Sequence, residues 1–215
     1  MAGSTALVVG EASSRVLPTL VEATRAMKVG RTDLAADAQP EMGPVISAQH
    51  RDRVLSLLSQ GEQQGGKVLA DGRNVRVADG PNGFFVGASI VEQSNPPSNV
   101  LMKEEVFGPV LSVVKMDDLD AAIELANRSV YGNGAAIFTR SGKAAREFKH
   151  RIQAGMVGIN VGVPAAMAHF PFSGWGESFF GDLHVQGREG VYFYTQQKVT
   201  TTRWFAEGEG DIWRK

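Results

Sequence analysis

Apolar positions along this chain switch repeatedly between two rhythms, short unbroken runs and stripes spaced three and four residues apart. The run TALVV (5–9) reads as a strand. SSRVLPTLVEATRAM then reads as a helix with a serine cap, Pro18 in its first turn, and Val16, Leu20, Ala23 and Met27 on one face. A proline-containing loop from Asp33 to Pro44 leads to Ser47, placed to cap a helix that turns Val54, Leu57 and Leu58 inward. KVLADGRNVRV and NGFFVGASIVE predict two strands with turns at Asp71-Gly72 and Asp79-Gly80-Pro81. VLSVVKM (110–116) is apolar almost without interruption, the pattern of a strand buried on both faces of a parallel sheet.

Downstream the alternation continues. DDLDAAIELANR carries aspartates at a helix start, where the dipole favours them, and Leu119, Ile123 and Ala126 on one stripe. AAIFTR predicts a buried strand. SGKAAREFKHRIQAG predicts a helix capped by Ser141, ended by Gly155, with Ala145, Phe148 and Ile152 inward. MVGINV predicts the next strand. Strands and helices in this succession argue for an α/β fold, a mostly parallel open sheet with flanking helices. From Gly190, GVYFYTQQKVTTTRWF is rich in β-formers and predicts a strand that needs an edge to pair with; AEGEGDIWRK (206–215) is a polar tail.

Composition narrows the functions open to such a fold. The 215 residues are 43% hydrophobic and 21% charged with a net charge of −1, so neither nucleic acid nor a membrane surface is an expected partner. No apolar run approaches the ~20 residues of a membrane span. There is no cysteine, which excludes disulfides and any thiol nucleophile of the chain's own, and fits a reducing compartment such as the cytoplasm or, in a eukaryote, the mitochondrial matrix. His50, His150, His169 and His184 share no metal-ligand spacing, and no serine stands in a recognisable activated arrangement.

Candidate chemistry concentrates in LMKEEVFGPVLSVV. Gly108-Pro109 forces a turn just before the buried strand, and two carboxylates with an aromatic sit ahead of it. A carboxylate there can accept both hydroxyls of a ribose while an aromatic lies against a planar ring. The competing reading is a solvated acidic helix end with Phe107 in the core.

KEEVFGPV resembles a signature of the aldehyde dehydrogenase superfamily. MGPVIS, YGNGAAIFTRSG, AGMVGINVGVPAAMAHFPFSGWGESFFGD and GVYFYTQQKVTTTRW follow in the family's order. The resemblance covers roughly residues 1–205 and is closest to the methylmalonate-semialdehyde dehydrogenase branch. It implies a partial catalytic domain over 1–189, interrupted at its amino-terminal side, and a bridging, oligomerisation strand over 190–205. It implies NAD as cofactor, held weakly by this chain alone, with coenzyme A as co-substrate and a semialdehyde as substrate. By position, Glu105 matches the glutamate that binds the nicotinamide ribose and Phe107 the aromatic beside the nicotinamide. Glu104 keeps a solvated role, Phe172 matches a residue bordering the substrate tunnel, and Asn160 is structural. In that branch a sequence like MAGSTALVV directly follows the nucleophilic cysteine, which is expected immediately before Met1. The chain alone is expected to be inactive, as part of a dehydrogenase of this or another aldehyde specificity, or as a non-catalytic partner docking on a full-length subunit through 190–205.

Overall fold

The computed structural model describes residues 2–34, 39–94 and 96–205; Met1 and the tail 206–215 lie outside the described residues. The chain runs β1 (Thr5–Val9), α1 (Ala12–Ala26), α2 (Ala48–Gln63), β2 (Lys67–Ala70), β3 (Ser89–Glu92), α3 (Val100–Lys103), β4 (Val110–Met116), α4 (Leu119–Asn127), β5 (Tyr131–Gly132), β6 (Gly134–Ile137), α5 (Gly142–Arg151), β7 (Met156–Ile159), β8 (Trp175–Gly176) and α6 (Gly187–Phe193). The main sheet has the order β1-β4-β3-β2. β4 lies parallel to both β1 and β3, and β2 is the antiparallel edge. The continuous apolar run 110–116 therefore occupies an interior position, as its pattern requires.

Alternating side chains of this sheet feed two cores. Val91 and Val110 pack with Val54, Leu57 and Leu58 of α2 and with Leu101 of α3. Ile90 and Val113 point the other way, with Val8, onto Leu17, Leu20 and Val21 of α1. A second lobe joins β6 and β7, parallel to each other, to α4 and α5 through Ile123, Phe148 and Ile152. The predicted caps at Ser47 and Ser141 hold, their side chains accepting from the N–H groups of His50 and Ala144; Asp118 does the same for Ala121.

Four expectations are corrected. The buried stripe of α1 is Leu17, Leu20 and Val21, while Val16, Ala23 and Met27 are exposed. Pro18 sits inside that helix, and the hydroxyls of Ser13 and Ser14 turn back to the carbonyls of Gly10 and Glu11, 2.9 Å each, leaving the helix without a side-chain cap. The two strands predicted over 67–92 shrink to their outer ends, because the chain crosses itself at Gly72 and Gly87. The Gly87 N–H donates to the Gly72 carbonyl at 2.9 Å, and a Cβ on Gly72 would stand 2.0 Å from the Gly87 oxygen. Gly155 does not close α5, which ends at Arg151. Its lack of a side chain serves a close crossing instead, since a Cβ there would lie 2.6 Å from the Ser173 carbonyl carbon. The bridging strand expected over 190–205 forms no ladder among the described residues, where 190–193 belong to α6. β-formers need a neighbouring strand to express that preference, and among the described residues none is offered.

Candidate functional site

The turn 104–108 is built from behind. α2 supplies two side chains that between them take three consecutive carbonyls. Arg53 donates Nη2 to the Glu105 oxygen at 3.1 Å and Nη1 to the Val106 oxygen at 2.9 Å, and His50 donates Nε2–H to the Phe107 oxygen at 2.7 Å. A carbonyl only accepts, so this contact places a proton on Nε2 of His50. Val106 is buried in the core between α2 and β4. Gly108 is required where the turn passes α2, because a Cβ would come within 2.7 Å of Val54 Cγ2. Asn99 completes the frame: its Oδ1 accepts from the Leu101 N–H at 3.0 Å, starting α3, and its Nδ2 donates to the Gly61 carbonyl of α2 at 2.8 Å.

With its carbonyls fastened inward, the turn presents its other side chains outward. Glu105 is exposed, and its carboxylate makes no hydrogen bond or ion pair among the described residues. Phe107 is 76% exposed and adopts φ 58°, a left-handed conformation that costs a non-glycine residue about 1–2 kcal/mol. Its ring meets the edge of the His50 ring at a centroid distance of 6.4 Å. The reading of Phe107 as a core residue is thereby excluded. Glu104 is solvated as expected, with a loose ion pair to Arg53 at 3.8 Å. The start of β1 shares this end of the sheet: Thr5 is level with Ser112, the Ser112 N–H donates to the Ser4 carbonyl at 3.0 Å, and the Thr5 hydroxyl reaches Met102 Sδ at 3.9 Å.

Glu105 and Phe107 thus come together on one clamped turn. Phe172 does not join them through any hydrogen bond or ring contact among the described residues; it is half-buried in the irregular segment between β7 and β8, within the second lobe. Asn160 is structural, as expected. At φ 57° it exchanges two hydrogen bonds with the backbone of Thr139, 2.8 and 3.1 Å, and ties the end of β7 to that of β6. An open cleft lies beside this tie, lined by Ala12, Val16, Phe138 and Asn160 and flanked by Arg15 and Arg140, away from the predicted residues.

The sequence reading missed two features. The tether from His50 and Arg53 leaves no local signal, since its partners are 52 to 57 positions apart. The second is a contact chain in which Ser173 Oγ lies 3.3 Å from His184 Nε2, and His184 Nδ1 lies 2.5 Å from Glu189 Oε2. A histidine that spacing left among the scattered ones is therefore bonded on both ring nitrogens. Among the described residues no group of three or more His, Cys, Asp or Glu is arranged to hold a metal ion, and no helix is long and apolar enough to cross a membrane.

A family model described as the aldehyde dehydrogenase family matches residues 1–200. Malonate-semialdehyde dehydrogenase 2 of Geobacillus kaustophilus is 43% identical over 205 residues, 95% of this chain and 41% of the relative. The crystal structure of methylmalonate-semialdehyde dehydrogenase from Oceanimonas doudoroffii is 41% identical with a TM-score of 0.87, over 95% of this chain and 41% of that one. Betaine aldehyde dehydrogenase from Staphylococcus aureus, in complex with NAD+, is 29% identical with a TM-score of 0.79, again over 95% and 41%. The chain spans about two fifths of the length of the curated relatives it matches.

Proposed function

The chain belongs to the aldehyde dehydrogenase family, and from that premise we propose that it forms part of the catalytic domain of an NAD-dependent semialdehyde dehydrogenase that passes its acyl product to coenzyme A, with malonate or methylmalonate semialdehyde as substrate. The names of the similar proteins support the substrate class, and the NAD+ complex of a more distant neighbour supports the cofactor. The observation that carries the reading is the clamped turn. A carboxylate at Glu105, unpaired among the described residues, and an outward ring at Phe107 stand one residue apart on a backbone that α2 does not allow to relax. Such a pair fits a nicotinamide riboside: the carboxylate accepts both ribose hydroxyls and the ring lies against the base. NAD supplies the hydride acceptor when bound. Phe172 is proposed to border the substrate.

The family reaction also needs a thiolate to attack the aldehyde, and these 215 residues contain no cysteine. The thiolate has to come from outside them, so the chain by itself is expected to give no NADH from malonate semialdehyde, NAD and coenzyme A. The cofactor role is tested separately by titrating NAD into the isotope-labelled chain. Weak binding is expected, with resonance shifts centred on residues 104–108 and abolished by Glu105→Ala. Shifts confined to other regions, or turnover by the chain alone, defeat the reading.

A second role is favoured by the segment 195–205, whose Val199 and Trp204 are almost fully exposed and whose backbone has no ladder partner among the described residues. Such a segment is suited to pair with a second copy or with a full-length subunit. Deleting 195–205 is expected to reduce the assembled mass on a sizing column; an unchanged mass removes this role.

A further inference from the structure

The contact chain in the second lobe has a directionality that its distances alone do not convey. Glu189 Oε2 accepts from both the ring of His184, at 2.5 Å, and the His184 backbone N–H, at 3.3 Å. A carboxylate has only lone pairs to offer, so the ring proton sits on Nδ1. In the neutral imidazole Nε2 is then the acceptor, and its lone pair faces Ser173 Oγ at 3.3 Å, within the looser range found before a substrate tightens such a contact. The serine therefore donates to a base that a carboxylate orients.

The surroundings hold this order in place. His184 is 17% exposed and Glu189 40%, so the imidazole is sheltered while the serine face stays reachable; Ser173 itself is half-buried. The ring of Phe179 covers one side of His184 at 4.9 Å. Behind the serine, Gly155 permits the approach of Ser173 and Gly174, and a Cβ on Gly174 would meet Phe179 at 3.0 Å. The Gly174 N–H makes no hydrogen bond among the described residues, and it is the donor next along the chain from the hydroxyl, the position that binds the oxyanion in serine hydrolases built on an elbow. Gln186 Oε1, two residues beyond His184, is buried without a hydrogen-bond partner among the described residues.

We propose that Ser173, His184 and Glu189 form a hydrolytic centre for small acyl esters, with Ser173 as nucleophile, independent of the dehydrogenase reading. Ser173 Oγ bonds to the ester carbonyl carbon as its proton passes to His184 Nε2. The carbon–oxygen bond to the alcohol then breaks, and the departing oxygen takes that proton. Water attacks the acyl-serine, giving its proton through His184 back to Ser173 Oγ, and the acid leaves. Ester and water become acid and alcohol, with no oxidant or reductant required.

The absence of cysteine makes the test clean, because no thiol can hydrolyse or capture the probes. The purified chain is treated with a fluorophosphonate and mapped by mass spectrometry, and its hydrolysis of p-nitrophenyl acetate is followed. Labelling at Ser173 is expected, with loss of both label and hydrolysis in Ser173→Ala. In His184→Gln the rate should fall by about 100-fold, the usual contribution of a positioned base. Circular dichroism of Ser173→Ala checks folding, and mapping the label on the wild-type chain needs no variant. No label at Ser173, or a rate unchanged by Ser173→Ala or by His184→Gln, overturns the proposal.

Discussion

Removing the Arg53 fork should loosen the candidate cofactor turn before it unfolds the protein. Arg53 gives two charge-assisted hydrogen bonds, 2.9 and 3.1 Å, to the carbonyls of Val106 and Glu105. Bonds to charged groups contribute about 1.5–3 kcal/mol each when buried. The Arg53 side chain is 42% exposed, so solvent competes for it, and about half the lower figure per bond is the fair value, roughly 1.5 kcal/mol for the pair. The Glu104 ion pair at 3.8 Å adds little. Global stability in Arg53→Met falls by no more than that sum, because the turn can release and Phe107 then leaves its left-handed φ, regaining about 1 kcal/mol. Local opening takes the whole of that sum: the turn opens roughly 10-fold more often, at about 1.4 kcal/mol per decade. Amide exchange by NMR reads this at Glu104, whose N–H donates to the Val100 carbonyl at 2.9 Å, and at Val110, which donates to Gly108 at 2.7 Å. Arg53→Lys keeps the charge but not the fork and should recover only part of the protection. Unchanged exchange in Arg53→Met, or full protection in Arg53→Lys, refutes the clamp.

Two further outcomes bear on the frame. Asn99→Ala removes the acceptor that starts α3 and a buried donor to Gly61, whose carbonyl still receives the Gly66 N–H at 2.9 Å, so the expected cost is about 2 kcal/mol in urea unfolding; a loss below about 0.5 kcal/mol would mean the frame is held elsewhere. The Arg73 guanidinium, bonded to both Asp71 and Glu62, holds the Asp71 carboxyl below the usual carboxylate range. A depressed carboxyl stabilises the fold above its unfolded pKa and loses that contribution as pH falls through the folded value. With Asp71 37% exposed the pair contributes about 0.5 kcal/mol, so Arg73→Met should be less stable than wild type at pH ~7, with the gap closing as pH falls through the folded value of Asp71, and a gap independent of pH would disprove the linkage.

What could be read from the sequence was what local rules govern. Ser47 and Ser141 cap the helices that follow them because a cap needs only a hydroxyl and an N–H three positions on. VLSVVKM lies inside the sheet because nothing polar interrupts the run except Ser112 and Lys115, and Ser112 finds Gln93 Nε2 at 3.3 Å. Distant contacts decided the failures. Gly72 looked like a simple turn residue, yet it is spared a side chain by Gly87. Gly155 looked like a helix stop, yet it is spared one by Ser173 and Gly174. The face of α1 shifted because Leu17, not Val16, meets Val8 and Val113.

The same division runs through the candidate site and explains why a motif carried only half of it. KEEVFGPV names a carboxylate and an aromatic but leaves open whether the aromatic is inside or out. Phe107 is outside because its carbonyl, with those of Glu105 and Val106, is claimed by α2, and because Val106 takes the core position in its place. A residue at φ 58° persists only where its neighbours over-determine it, and here three bonded carbonyls and a glycine pressed against Val54 do so. His50 and Arg53 are therefore as much a part of the site as Glu105 and Phe107, although neither belongs to the motif. The reverse holds at Ser173, His184 and Glu189: no catalytic spacing announces them, and the fold sets a hydroxyl, an imidazole and a carboxylate in line. Chemistry on this chain is set by which side chains the backbone crossings force together, and both crossings that matter, Gly108 on Val54 and Gly155 on Ser173, occur where any larger residue would collide.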